Sequence, residues 1–283
     1  MTGSSVKKIV VGTDGSENAM EAMRWAAEEA AIHGAELEAL VAWSYVNQHH
    51  ADRSDAFDNS YTEATAREAL AAWVSEILGP HAAVTQRVVL DTPARALLEA
   101  GDGADLLVVG ARGIGGFEGL LLGSVSERVP QSATCPVAVV KAAAPVRDGR
   151  VVVGVDGSAR SLTALRWAAA EAIARDAELD VVHAWRLPVM TDWPMIMPDL
   201  SLMEAGGRAI LDRALAEPAL DGIRVRAHLT SQNAASALVD LAAGADAGLV
   251  VVGTRGRGRI TGALLGSVSR QLLHHARCPV VVI

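Results

Sequence analysis

Only two cysteines occur among the 283 residues, Cys135 and Cys278. Each stands in a Cys-Pro-Val tripeptide, at positions 143 apart (278 − 135), and neither belongs to a Cys-x-x-Cys or Cys–His pattern at metal-ligating spacing. Equivalent positions of two repeats lie far apart, so no disulfide is expected, and reduced thiols fit a cytoplasmic protein. The histidine pairs His49-His50 and His274-His275 are sequence neighbours. Neighbouring side chains diverge on a strand or a helix, so both pairs read as surface residues and no metal site is expected. Long apolar runs are missing as well: no stretch of about 18 residues is free of charge, which leaves no membrane-spanning helix. The N-terminus, Met1 to Lys8, runs into a strand without the apolar centre of a signal peptide. Positive charge is in deficit, with 25 Lys and Arg against 33 Asp and Glu for a formal net charge of −8. That disfavours a nucleic-acid partner, which needs a basic surface to displace counterions. A single nucleotide needs only local donors and stays open.

The common phosphate and nucleophile motifs are absent too. No Gly-x-Gly-x-x-Gly opens a helix after the first strand, which disfavours a dinucleotide fold. There is no Gly-Lys-Ser/Thr P-loop, no Gly-x-Ser-x-Gly elbow and no supported Cys–His pair.

What the chain does have is a glycine loop, twice. Gly110-Ala-Arg-Gly113, nine residues, then Gly123-Ser124-Val125-Ser126 follows the apolar run Asp105 to Val109 and precedes a helix read over Ser126 to Ala133. Gly253-Thr-Arg-Gly256, nine residues, then Gly266-Ser267-Val268-Ser269 follows Gly248 to Val252, a shift of 253 − 110 = 143. Glycine lets backbone N–H groups approach an anion closely, and a helix N-terminus adds its unpaired amides and positive dipole end. A pair of structural turns is the plainer alternative, but the repeated internal spacing favours a cradle.

The first strand repeats as well. Val10-Val-Gly12-Thr13-Asp14-Gly15-Ser16 returns as Val152-Val-Gly154-Val155-Asp156-Gly157-Ser158, a shift of 156 − 14 = 142, and Trp25 and Trp43 return as Trp167 and Trp185. The chain is therefore a tandem duplication of a domain of about 140 residues. The expected division is residues 1–143, a linker over 144–149, and residues 150–283. In the first copy the pattern reads as strands at 8–12, 36–43, 84–90, 105–109 and 136–140, helices at 17–33, 61–78 and 92–100, and a polar, mobile loop over 44–59. Alternating strands and helices predict an α/β fold: in each copy an open, mostly parallel five-stranded sheet with helices on both faces. Ligands of such sheets bind at the carboxyl ends of the strands, at the switch point, where the Asp14 turn and the Gly110 loop can face each other.

Asp14 and Asp156 can accept hydrogen bonds from sugar hydroxyls or a base edge, support a metal, or cap the following helix. Ser124, Ser126, Ser267 and Ser269 can bond phosphate oxygens or cap. A triphosphate carries about four charges, more than Arg112 or Arg255 alone neutralises, so Mg2+ bridging the phosphates is the expected complement. The second loop adds Arg257 and Arg259 where the first has Glu118, which predicts tighter binding by the second copy.

Gly-x2-Gly-x9-Gly-Ser in both copies, with the Asp-Gly-Ser turn after the first strand and the Cys-Pro-Val entry to the last, resembles the ATP-binding class of the universal stress protein family. The likeness covers nearly the whole chain and extends to the tandem form common in actinobacteria, with an adenine-nucleotide α-hydrolase-like fold. It implies ATP contacts at Gly12, Thr13, Asp14 and Ala42, and at Gly110, Gly113, Gly123, Ser124, Val125 and Ser126. In the second copy it implies Gly154, Val155, Asp156, Ala184, Gly253, Gly256, Gly266, Ser267, Val268 and Ser269. It further implies pairing of last strands between domains or chains, hence a homodimer, an unidentified protein partner, and a regulatory role under stress such as hypoxia or dormancy. No water-positioning residue is evident, so binding with at most weak ATP hydrolysis is expected, and no catalytic residue is assigned. Trp43 and Trp185 can wall the adenine cleft or belong to the core; Trp25 and Trp167 read as core.

Overall fold

The computed structural model describes residues 6–44, 47–49, 58, 60–114, 121–142, 149–185, 199–244, 247–256 and 265–283. The chain divides into two compact units, Thr2–Ala144 and Pro145–Ile283. In the first unit the order is β1 (Lys8–Gly12), α1 (Glu17–His33), β2 (Glu36–Trp43), α2 (Glu63–Leu78), β3 (Thr85–Leu90), α3 (Pro93–Gly101), β4 (Leu106–Gly110), α4 (Ser124–Ser132) and β5 (Val137–Val140). The second repeats it as β6 (Val151–Gly154), α5 (Ala159–Ala174), β7 (Leu179–Ala184), α6 (Leu200–Leu215), β8 (Val225–Thr230), α7 (Ala234–Gly244), β9 (Leu249–Val252), α8 (Ser267–His275) and β10 (Val280–Val282).

Strands of the first unit run in the order β3-β2-β1-β4-β5, and those of the second in the order β8-β7-β6-β9-β10. The pairings within each sheet are parallel, with Gly12 opposite Leu40 and Val109, and Gly154 opposite Val182. The fold is thus α/β with one doubly wound, five-stranded parallel sheet per copy. β1 and β4 are fully buried at Ile9, Val10, Val11, Leu107 and Val108. Helices α1 and α2 cover one face and α3 and α4 the other, which is why these strands are continuous apolar runs rather than alternating ones. Strand order reverses between β1 and β4, so their carboxyl ends open the crevice that loops can line.

Local signals set the helix ends. Ser16 caps α1 by accepting from the Ala19 N–H, and Gly34 stops it at φ +63°. Helix α2 begins at Glu63 with Thr62 as its cap, two residues later than the apolar pattern predicts, because Tyr61 is buried and its hydroxyl donates to the His49 carbonyl. Helix α4 begins at Ser124, two residues earlier than predicted, because Gly123 takes the extended capping conformation. Trp25 is buried in α1, whereas its counterpart Trp167 is partly exposed on α5. Neither Cys135 nor Cys278 is in a disulfide, and burial pushes the Cys135 thiol up to about 11. No helix among the described residues is long and apolar enough to cross a membrane.

Candidate functional site

Each site begins with the turn that leaves the first strand. Gly15 has φ +78°, and a Cβ there would lie 2.5 Å from the Trp73 indole; Gly157 repeats the same φ. Only glycine holds that turn without strain. The turn brings Asp14 Oδ1 to the Ser16 N–H at 3.0 Å and Asp14 Oδ2 to the Ile114 N–H at 2.9 Å, on the glycine loop. The Ser16 hydroxyl donates to the Arg112 carbonyl at 3.1 Å. Ser16 rather than Asp14 therefore caps the helix, and Asp14 ties the strand-1 turn to the glycine loop. A Cβ at Gly113 would collide with Asp14 Oδ2, and one at Gly256 with Asp156 Oδ2. In the second copy Asp156 Oδ1 accepts from the Ser158 N–H at 2.9 Å.

The far wall is a helix N-terminus. Ser126 is buried; its hydroxyl donates to the Ala111 carbonyl at 2.6 Å and accepts from the Gly123 N–H at 3.0 Å. Ser269 is buried likewise, with its hydroxyl 3.1 Å from the Thr254 carbonyl. These two serines lock the loop onto the helix. Ser124 and Ser267 occupy the first position of α4 and α8 and are exposed, where hydroxyl and amide can both meet an anion.

A cavity of about 430 Å³ lies between these walls in the first unit, and one of about 850 Å³ in the second. All ten candidates of the first copy line the first cavity: Gly12, Thr13, Asp14, Ala42, Gly110, Gly113, Gly123, Ser124, Val125 and Ser126. The ten candidates of the second copy, from Gly154 to Ser269, likewise line the second. One end of each cavity is apolar: Leu40, Ala42, Pro93 and Leu97 in the first, Val182, Ala184, Ala234 and Leu238 in the second. The other end carries the glycine loop and helix amides. Among the described lining residues the first cavity has one carboxylate, Asp14, and one cation, Arg112. The second has one carboxylate, Asp156, and two cations, Arg255 and Arg270.

Several residues depart from the sequence reading. His49, read as a surface residue, is buried and lines the first cavity beside Asn47. The reason is long-range: Gln48 clasps the backbone of Asp58, donating to its carbonyl and accepting from its N–H at 2.7 Å each, which draws the segment inward. His274 is partly exposed and His275 exposed; His50 lies outside the described residues. Trp43 and Trp185 are absent from the described cavity linings. Trp43 is buried against Tyr61, at 5.9 Å between ring centroids, and Trp185 packs against Gly207 of α6. Arg270 was missed, yet it was legible: aligning Ser126 with Ser269 sets it opposite Glu127. Glu118, Arg257 and Arg259 lie outside the described residues.

A doubly wound α/β unit present twice, each with a carboxylate facing a glycine loop and a helix N-terminus at the switch point, defines a tandem protein with one such cleft per unit. The profile of the Universal stress protein family matches residues 5–141 and 149–283, and the chain belongs to that family. It is 35% identical over 284 residues to a universal stress protein of Mycolicibacterium smegmatis, covering 97% of this chain and 96% of that one. It is 34% identical over 292 residues to a universal stress protein of Mycobacterium tuberculosis H37Rv, with the same coverage. The crystal structure of a universal stress protein from Archaeoglobus fulgidus shares the fold at a TM-score of 0.67 and 21% identity, covering 97% of each chain.

Proposed function

We propose that each unit binds one ATP, with Mg2+, and that the chain is a nucleotide-dependent regulator of a stress or dormancy response in the cytoplasm. The observation that carries this reading is the convergence, in both cavities, of an apolar end, a fixed carboxylate and a helix N-terminus bearing an exposed serine. An adenine ring suits the apolar end, ribose hydroxyls suit the carboxylate, and phosphates suit the amides. Mg2+ takes few protein ligands and several phosphate oxygens, so one aspartate per cavity, Asp14 or Asp156, fits its needs. Asp14 is held by two backbone amides. That suits a fixed acceptor better than a mobile proton carrier, in keeping with binding and at most weak hydrolysis. Beside the first cavity Ile114 and Leu121 are exposed, an apolar shoulder that a partner protein or a second copy in a homodimer can read.

Mass spectrometry of small molecules released from denatured, freshly purified protein tests the reading. ATP is expected from the wild type, partly lost in Gly113→Ala or Gly256→Ala, and absent from the double variant, since each methyl displaces the aspartate. Release of no nucleotide, together with no uptake of Mg-ATP on titration, would overturn it.

A further inference from the structure

The apolar end of the first cavity is not wholly apolar. Asn47 and His49 enter it from the segment that follows β2, and His49 is only 8% exposed. This part of the wall is built, not draped. The Ser44 N–H donates to the Asn47 carbonyl at 3.0 Å, and the Asn47 N–H to Ser44 Oγ at 3.1 Å. Gln48 is clasped to Asp58 on both sides of the peptide, and the Tyr61 hydroxyl holds the His49 carbonyl. The imidazole meets the Trp73 ring edge-on, with centroids 6.1 Å apart and planes at 68°. Trp73 is itself fully buried beneath the Gly15 turn. Backbone clasp and aromatic contact together restrain the imidazole.

A restrained imidazole beside an apolar slot is a selective group. A neutral imidazole offers one donor and one acceptor in a rigid plane. Adenine and guanine differ in the hydrogen-bonding sense of their six-position and N1, and a site built to hydrogen-bond one pattern leaves buried groups unpaired with the other. In the second cavity the described apolar lining is Val155, Val182, Ala184, Ala234 and Leu238, and the residues that follow β7, 186–198, lie outside the described residues. We propose that His49 is the base-discriminating residue of the first cavity, which through it selects adenine over guanine nucleotides. The proposal rests on the nucleotide reading of the site.

Calorimetry on the full chain carrying Gly256→Ala isolates the first cavity, with ATP, GTP and inorganic tripolyphosphate as probes. ATP is expected to bind at least tenfold more tightly than GTP. Adding His49→Ala should weaken ATP about tenfold and bring the ATP-to-GTP ratio close to one. Tripolyphosphate, which has no base, should bind as before and thereby reports an intact fold. His49→Gln, which keeps a donor and an acceptor, should restore part of the preference. In the same chain the His49 imidazole resonances should shift with ATP and stay in place with tripolyphosphate. An ATP-to-GTP ratio unchanged by His49→Ala, or no preference in the parent although both nucleotides bind, overturns the role of His49 and leaves the nucleotide site standing. Tripolyphosphate binding without either nucleotide overturns both.

Discussion

A methyl group placed on Gly110 would sit 2.6 Å from the carbonyl carbon of Asn18 and 2.7 Å from the amide nitrogen of Ala19. Both are backbone atoms of α1, which cannot turn aside as a side chain can. Gly253, the same position in the second copy, is looser: its added methyl would meet Arg160 Cβ at 3.3 Å. The glycines of the loop thus have different physical reasons. At Gly110 close helix–strand packing suffices to require it, whereas at Gly113 and Gly256 the requirement comes from the aspartate carboxylate. The expected outcome is that Gly110→Ala destabilises its unit by about 2–4 kcal/mol through overpacking, and Gly253→Ala by less than about 1 kcal/mol. Hydrogen exchange of the β1 and β6 amides, followed separately in the full chain, measures each unit. Equal losses would show that α1 can slide away from β4.

At the scale of the elements, the sheets repeat a charged rung that the apolar pattern concealed. In the first unit Glu38 of β2 lies between Lys8 of β1, at 2.8 Å, and Arg87 of β3, at 3.5 Å. In the second, Asp180 of β7 lies between Arg150, at 3.3 Å, and His228 of β8, at 2.7 Å. Register fixes the match, since Arg87 stands opposite Leu40 and His228 opposite Val182. Strand existence was readable, because buried parallel strands are apolar runs between helical patterns. The rung was not, because a strand carboxylate takes its meaning only from hydrogen-bonding and charged partners about 30 to 50 residues away. The Asp180 carboxylate is wholly buried, and its bond to His228 is short, whereas Arg87 is well exposed and further from Glu38. A double-mutant cycle should therefore give about 1–3 kcal/mol of coupling for Asp180 with His228. For Glu38 with Arg87 it should give under about 1 kcal/mol. Urea denaturation of the single and double alanine variants supplies the values, and a stronger Glu38–Arg87 coupling would contradict the ranking.

Across the whole molecule the duplication was legible from constant shifts of 142 and 143, and so were the paired lining positions of the strand-1 turn and the glycine loop, because local turn and cap chemistry carries them, whereas Ala42 and Ala184 came only from the family resemblance. The wall supplied by His49 was not, since it depends on a clasp between Gln48 and Asp58 that no spacing announces. Divergence between the copies is most consequential in the first turn of the loop helix, where Glu127 of α4 is replaced by Arg270 of α8. Arg270 lines the second cavity together with Arg255, while among the described residues of the first cavity's lining Arg112 is the single cation. Glu127 is exposed in the first turn of α4 and is not among the described lining residues of the first cavity, whereas Arg270 lines the second; a negative charge near that helix end disfavours an anion and a positive one favours it. Two unit charges exchanged at the mouth of a partly solvated cleft are worth about 1–2 kcal/mol at low ionic strength, and less as salt screens them. With Gly113→Ala closing the first cavity, the remaining second site should bind Mg-ATP about tenfold more tightly than the first site does in Gly256→Ala. The gap should narrow between about 20 mM and 300 mM salt. Glu127→Arg in the Gly256→Ala chain should recover most of the difference, and Arg270→Glu in the Gly113→Ala chain should abolish it. Equal affinities at low salt would mean that the helix charges stay in solvent, and a gap that salt leaves untouched would mean that the inequality between the sites is set at their apolar ends.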